Sequence, residues 1–291
     1  MEKSVEKARE KEILARKAGE GSFISLKKIK SPKDLVELLI HSHAYKFADD
    51  FAKNNHVLDI GCGNGYGDDE LATSAIEVIG IDLWKEGIRY RHQKNNKKVV
   101  SMIASANNLP FKEDYFDLVV SFQVIEHISK QQVMQYLQDI KRVLKPKGIF
   151  IVTTPNKPLR LLPFQKPWDS EHKKEYDAKD LRKNLKKVFG NAKVSGLFGT
   201  KKAYFVEFYR VKQSPLQVYL MDPIYPLIVR ILPKAFIQKF VAVFNRKFAQ
   251  KNLSKQEQQS FLNCGFSLND LQTLEFNLRS SIALYGVCRK D

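Results

Sequence analysis

A short apolar run, His56–Ile60, leads directly into Gly61-Cys62-Gly63-Asn64-Gly65-Tyr66-Gly67. Glycine at every second position permits positive φ and lets a ligand come close to the backbone. A strand that ends in such a turn and continues as a helix opens an α/β sheet whose ligands sit at the carboxyl ends of its strands. The following sequence keeps that rhythm. Residues 77–81, Val99–Ile103, Phe116–Phe122 and 149–153 read as further strands. Between the last two, Val133, Met134, Leu137, Ile140 and Leu144 recur at helical spacing, and the pattern stops at Pro146-Lys147-Gly148. Strands separated by helices imply parallel pairing with helices on both faces.

Residues 180–189 read as one more helix, and 193–197 and 281–287 as two more strands. The expected fold is therefore a doubly wound, mainly parallel, seven-stranded α/β sheet with a helical insertion before the last strand. Four segments are expected: an N-terminal helical part at 1–54, a ligand-binding core at 55–200, a cap at 201–276 and a final core strand at 277–291. Within the first, residues 1–20 read as a charged helix, and 32–54 as a second helix with Ser31 as a possible N-cap.

The chemistry of the glycine turn is specific. In the dinucleotide fingerprint G-x-G-x-x-G the third glycine position is held here by Tyr66, and no G-K-[ST] follows to cradle a triphosphate. Asp59, two residues before the first glycine, disfavours a pyrophosphate and favours a cationic group. Asp82 ends the second strand, where a carboxylate accepts hydrogen bonds from both hydroxyls of a ribose. A nucleoside with a cationic, phosphate-free tail fits both acids.

At these residues the sequence resembles the class I S-adenosylmethionine-dependent methyltransferases, over about residues 55–156. Asp59-Ile60-Gly61-Cys62-Gly63-Asn64-Gly65 resembles the family's first motif, and Gly80-Ile81-Asp82 its ribose-binding strand end. Asn108-Leu109-Pro110-Phe111 with Phe116-Asp117-Leu118-Val119, and Leu144-Lys145-Pro146-Lys147-Gly148, resemble the segments around the fourth strand and before the fifth. The resemblance implies S-adenosylmethionine as cofactor, held by Asp59, Gly61, Cys62, Gly63, Asn64, Gly65, Asp82, Leu83, Ser105, Ala106 and Gln123. One departure stands out: an acidic residue often precedes the small residue at the adenine amino group, and here Ser105 precedes Ala106. Cys62 reads as a small residue packed in the turn. Trp84 reads equally as an adenine-side ring or as a core aromatic.

Methyl transfer from a sulfonium is an in-line displacement, so alignment dominates and a base assists an oxygen or nitrogen acceptor. The resemblance makes His127, after strand four, and His172, in the H-K-K-E-Y segment ending at Tyr176, the candidate catalytic residues. For each, a purely structural hydrogen-bonding role is the competing reading. No Asp/Asp/Asn-type cluster suggests magnesium, so no metal is expected. The leading expectation is O-methylation of a small-molecule, glycan or lipid-type acceptor. The alternatives are an RNA or protein N-methyltransferase, for which no Asn-Pro-Pro-Tyr-like segment is present, and a non-catalytic cofactor-binding scaffold.

Charge bears on partners. Lys plus Arg is 49 against 32 for Asp plus Glu, a formal net charge of +17. Without a recognisable RNA-binding module, the lysine-rich stretches read as solvated faces and nucleic acid is not expected. Residues 201–255 hold eleven basic residues against Glu207 and Asp222, and Phe236, Phe240, Val243 and Phe244 fall on one helical face. Such a surface is either a cap over the domain or a peripheral contact with an anionic membrane. Cys62, Cys264 and Cys288 make neither a disulfide framework nor a zinc spacing. With no signal-like or spanning segment read in the sequence, the expected location is cytoplasmic, with membrane contact as a peripheral option.

Overall fold

A computed structural model describes residues 32–162, 165, 167, 169, 171–201, 203–204 and 268–291. Helix α1 (Pro32–Ala52) precedes the alternating part. That part begins with β1 (His56–Ile60), α2 (Tyr66–Leu71), β2 (Glu77–Asp82), α3 (Lys85–Arg91) and β3 (Val99–Ile103). It continues with β4 (Phe116–Phe122), α4 (Val133–Val143), β5 (Leu144–Pro155), the short α5 (Lys157–Arg160), α6 (Ala178–Phe189) and β6 (Lys193–Gly199). The last strands are β7 (Leu271–Leu274) and β8 (Ala283–Arg289).

The strands form one sheet in the order β3-β2-β1-β4-β5-β8-β6-β7. From β3 to β5 every pairing is parallel, whereas β8 runs antiparallel between β5 and β6. The doubly wound, mainly parallel sheet is as expected, but among the described residues it has eight strands and not seven. The extra strand is β7, which pairs antiparallel with β6 at the edge. Its four residues, LQTL, are too short to announce a period, and they lie in the segment read as a helical insertion. Residues 205–267, the body of that segment and of its amphipathic stretch, lie outside the described residues, as do the expected helix at 1–20 and the cap Ser31.

Both faces are covered, as the unbroken apolar strands require. On one face, Tyr136, Leu137, Ile140 and Val143 of α4 and Leu181, Leu185 and Phe189 of α6 pack with Leu58, Val119 and Phe150. On the other, Val36, Ile40, Ala44, Tyr45 and Ala48 of α1 pack with Val57, Leu118, Val120 and Phe122. Asp177 caps α6, its carboxylate accepting the Asp180 N–H at 2.8 Å. The Pro146-Lys147-Gly148 segment lies inside β5: Phe116 pairs with Leu144 and Leu118 already with Ile149, so the strand bulges there with Lys147 at φ 64°.

After β1 the chain moves outward to β3 and then returns to β4 on the other side of β1. This reversal opens a crevice beyond the carboxyl ends of β1 and β4, the position where such sheets take ligands. Among the described residues, no helix is long and apolar enough to cross a membrane.

Candidate functional site

The glycine turn is fixed by hydrogen bonds to β2. Gly61 and Cys62 both donate to Ile81 O, at 2.8 and 3.1 Å, and Gly65 donates back to Cys62 O at 2.9 Å. Gly61 has φ +83°, and a Cβ there would run into Cγ2 of Val124. Only glycine meets both demands. Asp82 is locked from two sides, Oδ2 accepting the Gly63 N–H at 2.8 Å and Oδ1 the Trp84 N–H at 2.8 Å. Each oxygen keeps a second lone pair, so both can still receive a vicinal diol.

These groups border a cavity of about 790 Å³ at the carboxyl edge of the sheet. Of the residues expected from sequence, Gly61, Cys62, Gly63, Asn64, Asp82, Leu83, Ser105, Ala106, Gln123, His127 and His172 all line it. Gln123 is in the left-handed region (φ 58°) and Trp84 also lines the wall. Ser105 accepts the Asn107 N–H at 3.2 Å, which orients its hydroxyl and leaves a lone pair to the pocket.

Two expected residues stand elsewhere. Gly65 does not line the cavity, and a Cβ there would meet the Arg91 side chain. Asp59 is fully buried behind the turn, its Oδ2 accepting the Tyr45 hydroxyl at 2.8 Å. The reading of Asp59 as a carboxylate open to a cationic ligand is therefore corrected: its direct partners are the side chains behind the loop. Asp68, also fully buried, is one of them, and neither Asp68 oxygen nor Asp59 Oδ1 has an N–H or O–H donor when both acids are ionised. Burial and the neighbouring Asp59 push the Asp68 pKa well up, and burial raises Asp59 to about 6 against the bonds from Asp68 and Tyr45. The pair is satisfied when Asp68 keeps its proton and donates it to Asp59. An acid at 68 carried no signal in sequence, because it reads as an ordinary first-turn helix residue.

The opposite end of the cavity is ionisable. The 3₁₀ turn Ile125–His127 sets Glu126 against β5 and turns His127 toward the opening. Glu126 is 1% exposed; Oε2 accepts the Thr154 hydroxyl at 3.0 Å, while Oε1 has no partner. Burial lifts its pKa to about 7, against the pull of His172 and its hydrogen bonds. The rings of His127 and His172 meet edge to face, 4.8 Å between centroids. His172 Nδ1 lies 2.7 Å from the buried Glu175 Oε1. Burial works against a charged His172, but that bond and the Glu126 and Glu175 carboxylates outweigh it and hold its pKa above the usual value. Desolvation, with His172 beside it, lowers that of His127.

Sequence reasoning therefore finds both histidines but not the buried acids that organise them. Glu126 precedes His127 and Glu175 lies within H-K-K-E-Y, and neither acid announces its burial in the sequence. Helix α1 was not connected to the site at all, yet Glu37, Ile40, His41 and Tyr45 line the same cavity. Arg160 of α5 lines it too, Nη1 standing 3.9 Å from Glu175 Oε1.

Residues 58–152 match the family model described as a methyltransferase domain. A probable S-adenosylmethionine-dependent methyltransferase of Mycolicibacterium smegmatis is 36% identical over 129 residues, 44% of this chain and 49% of that protein. A ubiquinone biosynthesis O-methyltransferase of Pelagibacter ubique is 29% identical over 133 residues, 45% of this chain and 54% of that protein. The chain thus spans about half the length of these curated relatives. The solved YcgJ protein of Bacillus subtilis aligns at a TM-score of 0.48 and 17% identity, over 86% of this chain and all of that one.

Proposed function

Residues 58–152 belong to the class I S-adenosylmethionine-dependent methyltransferase family, and on that premise we propose that the chain O-methylates a small-molecule, glycan or lipid-type acceptor. One observation carries the proposal: a single cavity runs from the Gly61–Asp82 cradle to the Glu126, His127 and His172 cluster. Donor and acceptor ends are thereby joined without a wall between them.

The fit of the cofactor rests on this chain's own groups. Asp82 presents two oriented oxygens to a ribose, and Gly61 and Gly63, both at positive φ, put backbone on the cavity wall. Ser105 and Ala106 border the region beside Asp82 where an adenine edge would lie. When bound, S-adenosylmethionine supplies an electrophilic methyl group on a sulfonium. Gln123 is anchored to β5, its N–H to Thr153 O at 3.0 Å and its amide to Thr153 Oγ1 at 3.1 Å, so its backbone forms a fixed wall for the methionine part.

On the acceptor side, the cluster would orient a hydroxyl and receive its proton. His127, which opens to the cavity, takes the proton; His172, tied to Glu175, packs behind it as a positioning residue. Alignment supplies most of the rate, and a base adds about 10²–10⁴-fold. The name of the Pelagibacter relative is in line with an oxygen acceptor in small-molecule metabolism.

Calorimetry with S-adenosylmethionine and S-adenosylhomocysteine tests the first half of the reading. Turnover against hydroxylated acceptors tests the second: His127→Ala is expected to lose at least about 100-fold in kcat with cofactor affinity unchanged. Absence of cofactor binding in the wild type, or wild-type turnover in His127→Ala, defeats the respective half.

A further inference from the structure

The acceptor end of the cavity holds more than a base. Glu126, His127 and His172 each offer a ligand atom, and these atoms all lie within 4.8 Å of one another. Two imidazoles and one carboxylate are the donor set of open zinc and related sites, with three protein ligands and a free position. A bound first-row ion holds its donors about 3.5 Å apart at bond lengths near 2.1 Å, so modest rotations of the two rings close the set. Separate features support it. Glu126 Oε1 is buried, unpartnered and belongs to a residue on the cavity wall, and a buried carboxylate oxygen without a partner calls for a cation or a proton.

The surroundings of the two rings are also those of metal ligands. A ligating histidine almost always gives its second nitrogen to a carboxylate or a carbonyl, which fixes the tautomer and makes the ligand more basic. His172 gives Nδ1 to Glu175 at 2.7 Å, leaving Nε2 as its ligand nitrogen. The His127 ring donates to the Glu171 backbone. Asp169 Oδ2, 3.7 Å from His172 Nε2, stands at the edge of the set.

We propose that Glu126, His127 and His172 form a binding site for a divalent first-row transition ion, of which zinc is the best-matched case. This inference builds on the reading of that cluster as the acceptor side. The remaining position of such an ion would take the acceptor's oxygen from the cavity that these residues line, which favours hydroxyl-bearing acceptors. With the ion present, His127 would serve as a ligand in place of its role as base, and the ion would acidify a bound hydroxyl, whose proton would pass to solvent in the open cavity. The sequence expectation of no metal looked only for an Asp/Asp/Asn set; imidazole donors disfavour magnesium and suit zinc.

The test measures the ion and not the reaction. The full chain is stripped with a chelator and titrated with zinc, with cobalt as a spectroscopic probe. The expected result is one equivalent of zinc, and a visible cobalt band of a low-coordinate site. His127→Ala should abolish the equivalent; its ring opens to the cavity, and its unchanged S-adenosylmethionine affinity verifies the fold. Glu175→Gln should weaken zinc binding by about 10–100-fold. His92→Ala, whose ring instead contacts Ser101 O, should bind zinc like the wild type. No stoichiometric zinc in the wild type, or equal zinc in His127→Ala, overturns the proposal. Zinc binding without cofactor binding would leave the metal site standing and defeat the methyltransferase reading; the converse would do the opposite.

Discussion

The Tyr45 hydroxyl lies 2.8 Å from Asp59 Oδ2 and donates to it. This bond ties α1 to the underside of the glycine turn. Tyr45 also packs edge to face on Tyr66 and Phe122, the first residue of α2 and the last of β4. The acid that a motif reader assigns to the ligand is thus the anchor of a buried group comprising Tyr45, Asp59 and Asp68. Its job is to hold the turn in place from behind.

That arrangement has a pH signature. An unfolded aspartate releases its proton near pH 4, whereas the folded Asp59–Asp68 pair keeps one well above that. A folded state that binds more protons than the unfolded state loses stability as pH rises. The contribution is complete below about pH 4 and fades as pH climbs through the folded values, Asp59 at about 6 and Asp68 raised well above the usual carboxylate range. Asp68→Asn donates the same hydrogen bond without a titrating proton. Between pH 5 and 7 the wild type should lose up to about 1.4 kcal/mol per pH unit relative to that variant. Parallel urea-unfolding curves for the two proteins across this range would refute the shared proton.

Asp82 gives the binding prediction. Hydrogen bonds to a charged group are worth about 1.5–3 kcal/mol each, and Asp82 also orients the turn through Gly63. Asp82→Ala should weaken S-adenosylmethionine binding by about ten-fold or more. Wild-type affinity by calorimetry would remove Asp82 from the cofactor site.

What the sequence made legible follows from length scale. Asp82 was readable because it lies at a fixed distance from the glycine turn within one βαβ unit. The inner parallel strands were readable because residues buried on both faces leave largely apolar runs, as in FDLVVSF of β4, and the edge strand β3 was readable from its β-branched residues. Asp68 and Glu126 were not readable as buried acids, since their environment comes from Asp59, Thr154 and Glu175, each on another element of the fold. β7 escaped notice because an edge strand of four residues has no period of its own. Helix α1 looked like a preface to the fold, yet it forms one wall of the cavity.

The basic segment at 201–255 yields a prediction from composition alone. Eleven basic residues face two acidic ones, and a basic residue near an anionic bilayer contributes on the order of 1 kcal/mol. We expect weak binding to vesicles containing anionic lipid at low salt, lost at high salt because screening shortens the reach of each charge. Protein that remains in solution in a low-salt flotation assay would discard the membrane surface and leave the cap.

Asn156 supplies a stability prediction that tests how the loop after β5 is held. It is fully buried, and its Nδ2 lies 2.8 Å from Leu278 O, 2.8 Å from Ser281 O and 3.1 Å from Ser281 Oγ. One side chain thereby ties the carboxyl end of β5 to the turn that leads into β8. Asn156 also pairs through its backbone with Tyr176, next to Glu175. Removing the amide leaves the buried Ser281 carbonyl without its donor, costing about 1–3 kcal/mol, and opens a cavity at a fully buried position, while Leu278 O keeps the Ser281 N–H and hydroxyl. Asn156→Ala should therefore lower stability by about 2 kcal/mol or more, and loosen the loop bearing His172. Asn156→Asp should fare no better, because a carboxylate cannot donate to those oxygens. Urea unfolding provides the number, and backbone hydrogen exchange at 171–176 and 278–281 shows where the loosening falls. A loss below about 0.5 kcal/mol in the alanine variant would mean that water reaches those carbonyls and that the sheet pairing of β8 with β5, not Asn156, sets the position of the loop.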